Sequence, residues 1–289
     1  MTIIERFKTD LKTHNVNYET MEIDNIKMEF YFKEKNYIVF IIDPNIYNEA
    51  TTPKNLFLDI RKKLQIDNID IAFAFLPDFE SKYDIYINRT LYKLNIGVKS
   101  IYARACEVKE ITSKDFKDFM NLYHLQGYIG SKIRYGLFHN NELLSVMGFN
   151  ASRYNTNYDT ELGRFCTKIG YNIIGGASKI FSHYIKNNEF KQMICYSDLM
   201  LGNGDFYKKL DFTKLEETPA GFFWYYQVTN KIYNRRGFWK NTLASKLKTF
   251  DPSISAHNNM RNNGYMKVFN LGNSVFVYDN TIKHENNEV

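Results

Sequence analysis

The hydrophobic positions of the first hundred residues follow helical and strand-like patterns in turn. Apolar residues recur at helical spacing from Ile3 to Leu11, which predicts an amphipathic helix at the start of the chain. Short apolar runs then predict two strands, a helix, a third strand and a further helix, at residues 28–32, 37–42, 56–64, 69–75 and 86–94. This alternation predicts a small α/β domain over residues 1–100.

Residues 101–228 show the pattern of a second domain. A strand is predicted at 102–108, followed by a helix whose N-cap is Thr112, with Asp115 three residues later. Alternating residues at 134–149 predict a β-hairpin that turns at residues 139–142. The remaining pattern predicts five further elements. They are a strand at 161–166, a helix that begins at Gly175 and covers 175–185, a strand at 193–196, a short helix at 204–210 and a strand at 222–226.

The last segment, residues 229–289, carries the excess of positive charge. The whole chain has a net charge of +6, and the stretch from Thr229 to Lys267 holds eight basic residues against Asp251 alone. Such a block favours a polyanionic partner, because each neutralised phosphate releases counterions, although a solvated basic tail has the same composition. Interleaved aromatic residues favour nucleic acid. The predicted contact residues are Lys231, Arg235, Arg236 and Lys240.

The end of this segment predicts a short helix before Gly264 and a hairpin that turns at residues 271–273. The overall expectation is therefore an α/β (α+β) protein of three consecutive parts: a small domain at 1–100, a mixed-sheet domain at 101–228 and a basic C-terminal appendage at 229–289.

The cysteine content and the N-terminus restrict the class of protein. Cys106, Cys166 and Cys195 lie far apart in apolar surroundings without a CxxC spacing, which predicts reduced core thiols and no structural metal. The N-terminus is charged and predicts no signal peptide. No apolar run reaches the ~18 residues of a membrane helix, so we expect a cytoplasmic protein that does not contact a membrane.

The central domain contains a succession of residues with a chemical rationale. A strand leads to a glycine-bearing turn that starts a helix, and small residues there let ligand phosphates approach unpaired backbone N–H groups. The residues predicted to bind a cofactor in this way are Gly175, Gly176, Ala177, Ser178 and Lys179. The next strand ends at Asp198, which could orient or deprotonate a nucleophile, and the next helix carries Tyr207, which could protonate a leaving thiolate. Alternatively, Asp198 caps a turn or helix and Tyr207 is a core aromatic.

The ordered phrases ELGRFC, GGASK, YSD and NGDFYKKLDF resemble the GNAT pattern, and more closely the central domain of phage homing-endonuclease-like (Hef-like) proteins, which is similar to Mom-type DNA-modifying enzymes. The resemblance implies Arg164, Asp198 and Tyr207 as catalytic residues. His124 lies where Mom-like proteins place a functional histidine, although it could simply end a helix. The resemblance also implies an acyl-CoA or CoA-like donor.

In the same phage family a nuclease similar to Vsr, a very-short-patch-repair endonuclease, comes first. Here Ile41 stands at the position of a metal-binding glutamate and Asn48 at that of a histidine. We therefore expect a degenerate restriction-endonuclease-like, or PD-(D/E)XK-like, domain. The alternative is an active nuclease in which Glu29, Asp43 and Asp78 regroup around a metal ion.

Together these features predict a phage DNA-associated GNAT-like transferase that modifies a nucleobase, acts on double-stranded DNA and works in the cytoplasm of the infected bacterium. The alternatives are a homing-endonuclease-related DNA-binding protein without transferase activity, and an endonuclease. The transferase is favoured over the endonuclease.

Overall fold

The computed structural model of the protein describes residues 1–281; residues 282–289, the end of the predicted basic segment, lie outside the described residues. The chain divides into two compact units, each discontinuous in sequence. The first unit comprises Met1–Tyr83, Asp198–Gly202 and Thr218–Asn273. The second comprises Asp84–Ser197, Asn203–Glu217 and the described residues from Ser274 onwards. This division differs from three consecutive parts, because late strands of the chain pair with earlier ones.

The described residues form α-helices at α1 (Ile3–Thr13), α2 (Leu56–Ile66), α3 (Leu76–Ser81), α4 (Tyr83–Lys93), α5 (Ser113–Tyr123), α6 (Gly176–Asn187), α7 (Asp205–Lys208), α8 (Lys240–Leu243) and α9 (Ala256–Asn262). Their strands are β1 (Glu19–Ile23), β2 (Ile26–Phe32), β3 (Tyr37–Ile42), β4 (Asp70–Phe75), β5 (Lys99–Tyr102), β6 (Glu107–Glu110), β7 (Ile133–His139), β8 (Glu142–Ala151), β9 (Thr160–Thr167), β10 (Tyr171–Ile174), β11 (Gln192–Asp198), β12 (Thr213–Glu217), β13 (Phe222–Tyr226), β14 (Lys231–Asn234), β15 (Tyr265–Phe269) and β16 (Asn273–Asp279). The mixed α/β class is confirmed.

The first unit contains two sheets. One has the order β1-β2-β3-β4, in which β3 and β4 run parallel and the other neighbours run antiparallel. Strands β3 and β4 are apolar on both faces, as the sequence predicted, because both faces are covered. The other sheet has the order β14-β13-β15, and its Tyr225 and Val268 belong to the same hydrophobic core as Phe40 and Phe73.

Helix α1 starts where its capping residues fix it. The hydroxyl of Thr2 accepts a hydrogen bond from the backbone N–H of Glu5 at 3.2 Å, and the Glu5 carboxylate accepts one from the backbone N–H of Thr2 at 2.7 Å. Phe7 and Leu11 then fall on the inner face and are fully buried. Phe7 packs edge-on against Phe30, with ring centroids 4.8 Å apart.

The second unit is built on a seven-stranded sheet of order β12-β16-β11-β9-β8-β7-β6. Helices α5 and α6 cover opposite faces, since Val146 packs with α5 and its neighbour Met147 packs with α6. The predicted hairpin is confirmed: β7 and β8 are antiparallel, and Asn140 and Asn141 form the turn with φ of 49° and 64°.

Two predictions about strands are wrong. The strand expected at residues 102–108 is divided by a turn at Ala103–Ala105, so that β5 pairs in parallel with β10 and β6 joins the large sheet. The hairpin expected at residues 271–273 is also absent, since β15 pairs with β13 whereas β16 pairs with β12 in the other sheet. Strand β16 is thus integral to the seven-stranded sheet rather than part of an appendage.

The sharp turn before β16 depends on Gly272. Its φ is +80°, and a side chain there would press against the carbonyl oxygens of Thr218 and Pro219, the latter 2.8 Å from the position of a Cβ atom. Only glycine combines this backbone conformation with so close an approach.

We predict that Gly272→Ala lowers the free energy of unfolding by about 3 kcal/mol, from left-handed backbone strain and steric overlap together. Gly170→Ala is the matched control, because Gly170 has φ of +82° and open space around it, so only the backbone cost of about 1 kcal/mol remains. Urea unfolding followed by circular dichroism measures both. Equal losses in the two variants would contradict the role assigned to the close approach.

Candidate functional site

Strands β9 and β11 are parallel neighbours that pair only at their beginnings. The ladder joins Thr160 with Met193 and Glu161 with Ile194, although β9 continues to Thr167. The carboxyl ends of the two strands therefore separate, and we call this opening the β9–β11 split. Ligands of open α/β sheets bind outside the carboxyl ends of parallel strands, so the split is the first candidate for a site.

A β-bulge lies in β9 at the split. Phe149 of β8 pairs with Leu162 and Gly148 pairs with Arg164, so that Gly163 is the extra residue. The guanidinium of Arg164 donates a hydrogen bond to the Gly163 carbonyl at 2.9 Å. The bulge changes the direction of the side chains that follow it, and it places Arg164 beside the split.

Glu161 is a buried acid at the same place, and it is held by Arg153. Nη2 of Arg153 lies 2.5 Å from Oε1 of Glu161, and Nε donates to Oε2 at 3.2 Å. The Glu161 side chain is 4% exposed and that of Arg153 is 32% exposed. The hydrogen bond to Glu161 raises the pKa of Arg153 above its usual value. A bidentate pair of this kind fixes the Glu161 side chain at the last ladder pair before the split.

Helix α7 carries Tyr207 into the core of the second unit. The Tyr207 ring stacks on Phe276 of β16 with centroids 5.3 Å apart, and its neighbour Phe206 stacks on Phe165 of β9 at 4.8 Å. These contacts hold the short helix against strands on either side of β11 in the sheet order.

The hydroxyl of Tyr207 lies in surroundings that keep it protonated. Burial is the largest cause and raises the pKa of Tyr207 far above its usual value, nearby Cys195 and Glu161 raise it further, and the guanidinium of Arg164 lowers it. Arg164, Glu161 and Tyr207 therefore lie close enough to act on one another electrostatically. The structure brings together two of the residues predicted as catalytic, Arg164 and Tyr207.

Glu161 and Arg153 were missed as site residues. The sequence carried a signal for Glu161, since an acid stood at the head of an otherwise buried strand, and buried acids are seldom found without a partner. Arg153 lies in an irregular loop with no periodic pattern, and nothing in the sequence linked it to Glu161.

The predicted phosphate-binding turn lies at the start of α6. Gly175 is the N-cap with φ of +77°, and a Cβ atom on Gly176 would stand 2.8 Å from Ile173. The first N–H groups of the helix, at Gly176, Ala177 and Ser178, have no carbonyl within the helix to bond. The ammonium of Lys179 donates to the carbonyls of residues 103 and 106, at 3.0 and 2.5 Å. It thus stabilises the turn between β5 and β6, and its cofactor role stays a prediction.

Asp198 and His124 make local contacts. Asp198 ends β11 and belongs to the first unit, where its carboxylate accepts a hydrogen bond from the Met200 N–H at 2.9 Å and shapes a turn. His124 is the C-cap of α5, and its Nδ1 lies 3.1 Å from the backbone nitrogen of Gln126 and accepts its hydrogen bond. The catalytic roles of both residues stay predictions.

The predicted nucleic-acid contacts all lie exposed in the first unit. Lys231 is on β14, Arg235 and Arg236 are in the following turn, and Lys240 begins α8. Their contact with nucleic acid stays a prediction.

The acids of the alternative, an active nuclease, do not form one cluster. Glu29 pairs with Lys8 at 2.5 Å, and the Asp43 carboxylate accepts a hydrogen bond from the Asn45 N–H at 2.9 Å. Burial raises the pKa of Asp78. Within residues 1–281 no three His, Cys, Asp or Glu side chains are grouped so that they could hold a metal ion.

The described part of the chain also contains no helix with the length and apolar composition to cross a membrane.

The three cysteines are free and buried. Burial raises the pKa of Cys166 to about 12 and that of Cys195 well above its usual value, and it also raises the pKa of Cys106. Because the thiolate is the nucleophilic form, none of these side chains is suited to covalent catalysis near neutral pH.

Comparison with known proteins gave only distant structural similarities. No protein-family model and no curated protein matches the chain. A GNAT-family acetyltransferase from Elizabethkingia anophelis, solved with acetyl-CoA bound, is similar at a TM-score of 0.33 and 10% identity over 61% of this chain and 98% of its own. A GNAT-family acetyltransferase from Bacillus cereus is similar at 0.31 and 8%, over 60% of this chain and 96% of its own. TM-scores this low do not assign the chain to a family.

We predict that Arg153→Met lowers the free energy of unfolding by about 3 kcal/mol, because it leaves the Glu161 carboxylate buried without its partner. The double variant Arg153→Met/Glu161→Gln should recover more than half of the loss, since no buried charge remains. Urea unfolding of the wild type, the single variants Arg153→Met and Glu161→Gln, and the double variant completes the double-mutant cycle. A loss below about 1 kcal/mol in Arg153→Met would show that the pair behaves like an exposed one.

We predict that Cys166 and Cys195 of the folded protein barely react with a thiol reagent between about pH 7 and pH 9. Their raised pKa values keep the thiols protonated throughout that range, and reactivity increases only as the pH approaches those values. The protein unfolded in guanidinium is the control and should release the full signal of three thiols. Rapid modification of either residue at neutral pH would contradict the burial seen in the structure.

Proposed function

We propose that the second unit transfers an acyl group from a CoA-like thioester donor to a nucleobase of DNA. The observation that carries the proposal is the β9–β11 split, at which a protonated Tyr207 lies within electrostatic range of Arg164. The succession of β9, a glycine turn, α6, β11 and α7 with its tyrosine is also that of the GNAT pattern that the sequence resembles.

The start of α6 fits the anionic part of such a donor. The N–H groups of Gly176, Ala177 and Ser178 and the positive end of the helix dipole attract phosphate oxygens. Gly175 is exposed and carries no side chain that would keep a ligand away from them. A thioester supplies an activated acyl group, and every other function has to come from the protein.

Tyr207 is suited to act as the general acid. A tyrosine is protonated at neutral pH, so Tyr207 can give its proton to the thiolate that leaves as the C–S bond of the thioester breaks, and the proton that the acceptor amine loses as the C–N bond forms restores the tyrosine. Burial, which raises the pKa of Tyr207, opposes this donation, and Arg164, which lowers that pKa, favours it. The positive charge of Arg164 favours negative charge that develops nearby. The raised pKa values of the cysteines favour direct transfer to the acceptor over an intermediate acyl-cysteine.

The acceptor is proposed to be a nucleobase amine because the first unit carries a basic segment. Lys231, Arg235, Arg236 and Lys240 are exposed, and cations of this density attract phosphate backbones. The resemblance to phage DNA-modifying proteins points in the same direction, and we extend it to a role in the infected host cell.

The same basic segment favours a second candidate, a homing-endonuclease-related protein that binds DNA without transferring a group. The two candidates differ in whether the start of α6 binds a donor. Binding of acyl-CoA, measured by calorimetry, therefore discriminates between them, whereas DNA binding does not.

We predict that Tyr207→Phe lowers the rate of transfer by about 100-fold, because the general acid is lost. Packing against Phe276 and Phe212 is retained, so acyl-CoA affinity and stability should change little. The measurement is mass spectrometry of nucleosides from DNA incubated with the protein and acyl-CoA, alongside calorimetry of donor binding.

Tyr92→Phe is the matched control, since Tyr92 is an exposed tyrosine on α4 of the same unit and should not alter transfer. The proposal fails if the wild-type protein neither binds an acyl-CoA nor modifies any base. Full transfer by Tyr207→Phe would remove Tyr207 from the mechanism.

A further inference from the structure

The first unit exposes an indole in the middle of its basic segment. Residues 229–250 contain six lysines and arginines and no acidic residue. Trp239 lies among them with 61% of its surface exposed, whereas Trp224, the other tryptophan of the chain, is 4% exposed. Asp251, the acid that follows this stretch, interacts electrostatically with Lys240. An exposed indole among several cations offers a ligand an apolar face beside positive charge.

The hydrophobic core next to Trp239 forms without the Trp239 side chain. Phe238 and Tyr233 pack on a small core formed by Trp224, Leu243 and Met260, and Trp239 does not belong to that core. The core is complete without the indole, so the side chain remains available to a ligand.

The backbone around Trp239 is fixed by short-range hydrogen bonds. The Trp239 carbonyl accepts bonds from the N–H and the hydroxyl of Thr242, at 2.8 and 2.9 Å. On the other side, the Phe238 N–H donates to the Arg235 carbonyl at 3.0 Å. The indole therefore stands on a defined turn, with Arg235 in the turn before it and Lys240 directly after it.

We propose that this turn binds single-stranded nucleic acid, with an unpaired base stacked on Trp239 and the flanking phosphates on Arg235, Lys240 and Lys231. Stacking on an aromatic ring combined with cations that follow the backbone is the general means by which proteins hold single strands. The indole adds to this arrangement what a solvated basic surface lacks, an apolar face for a base.

The geometry favours a single strand over the double-stranded DNA expected from the sequence. The faces of bases in a duplex are covered by their neighbours, so an indole cannot stack on them without unpairing the helix. Helix α8, which begins at Lys240, has only four residues and is too short to read a major groove. Single-strand binding deepens the proposed function, and its biological role rests on that function. An enzyme that modifies a base must first take the base out of the stack.

The test uses the full-length protein without any acyl donor. A fluorescently labelled oligo-dT and a duplex of the same length are titrated while anisotropy and tryptophan emission are recorded. We expect tighter binding of the single strand and quenching of the exposed tryptophan, which is absent in Trp239→Phe because only buried Trp224 remains. Trp239→Ala should weaken single-strand binding by about tenfold, and Trp239→Phe by less, since a smaller aromatic face remains.

The salt dependence separates stacking from charge. Lys240→Ala should reduce the slope of log affinity against log salt by about 0.7, whereas Trp239→Ala should leave that slope unchanged. Tyr102→Ala is the matched control, because Tyr102 is an exposed aromatic beside Arg104 in the second unit and should not affect binding.

The proposal is overturned if the duplex binds as tightly as the single strand, if Trp239→Ala binds the single strand like the wild type, or if phosphatidylserine vesicles bind with the same affinity and the same quenching. Because no donor is present, these outcomes are independent of transferase activity. Loss of transfer in Tyr207→Phe with intact single-strand binding would in turn concern the proposed function alone.

Discussion

The second unit depends on the incomplete pairing of two parallel strands. Because β9 and β11 share only two ladder pairs at their beginnings, their far ends expose backbone and side chains that a continuous sheet would cover. The bulge at Gly163, the position of Arg164 and the placement of α7 all lie along this opening. A fully paired sheet of the same composition would be more regular and would lack a place for a ligand between its strands.

Burial gives the two polar groups beside the split different properties. The Glu161 side chain is accommodated in the interior because Arg153 donates to both of its carboxylate oxygens. Tyr207 needs no charged partner, since burial disfavours its ionised form and so raises the pKa of its hydroxyl. One environment therefore supports a fixed ion and a fixed proton donor only a short distance apart.

The sequence predicted local structure well wherever the pattern itself decides the outcome. Strands Tyr37–Ile42 and Phe222–Tyr226, the cap at Thr112 and the Asn140-Asn141 turn agree with the structure, since each depends on neighbouring residues. The pairing of β16, the division at Ala103–Ala105 and the Arg153–Glu161 contact depend on residues distant in sequence. Periodicity carries no information about such partners, so the site was predicted only in part.

The place of β16 in the large sheet has a consequence for how the protein is made. Strand β11 ends at Asp198, β12 ends at Glu217, and the strand that lies between them in the sheet begins only at Asn273. On the ribosome, the second unit keeps two open sheet edges while more than fifty further residues are synthesised. Its folding can therefore be completed only after Thr218–Asn273, the last segment of the first unit, has been synthesised.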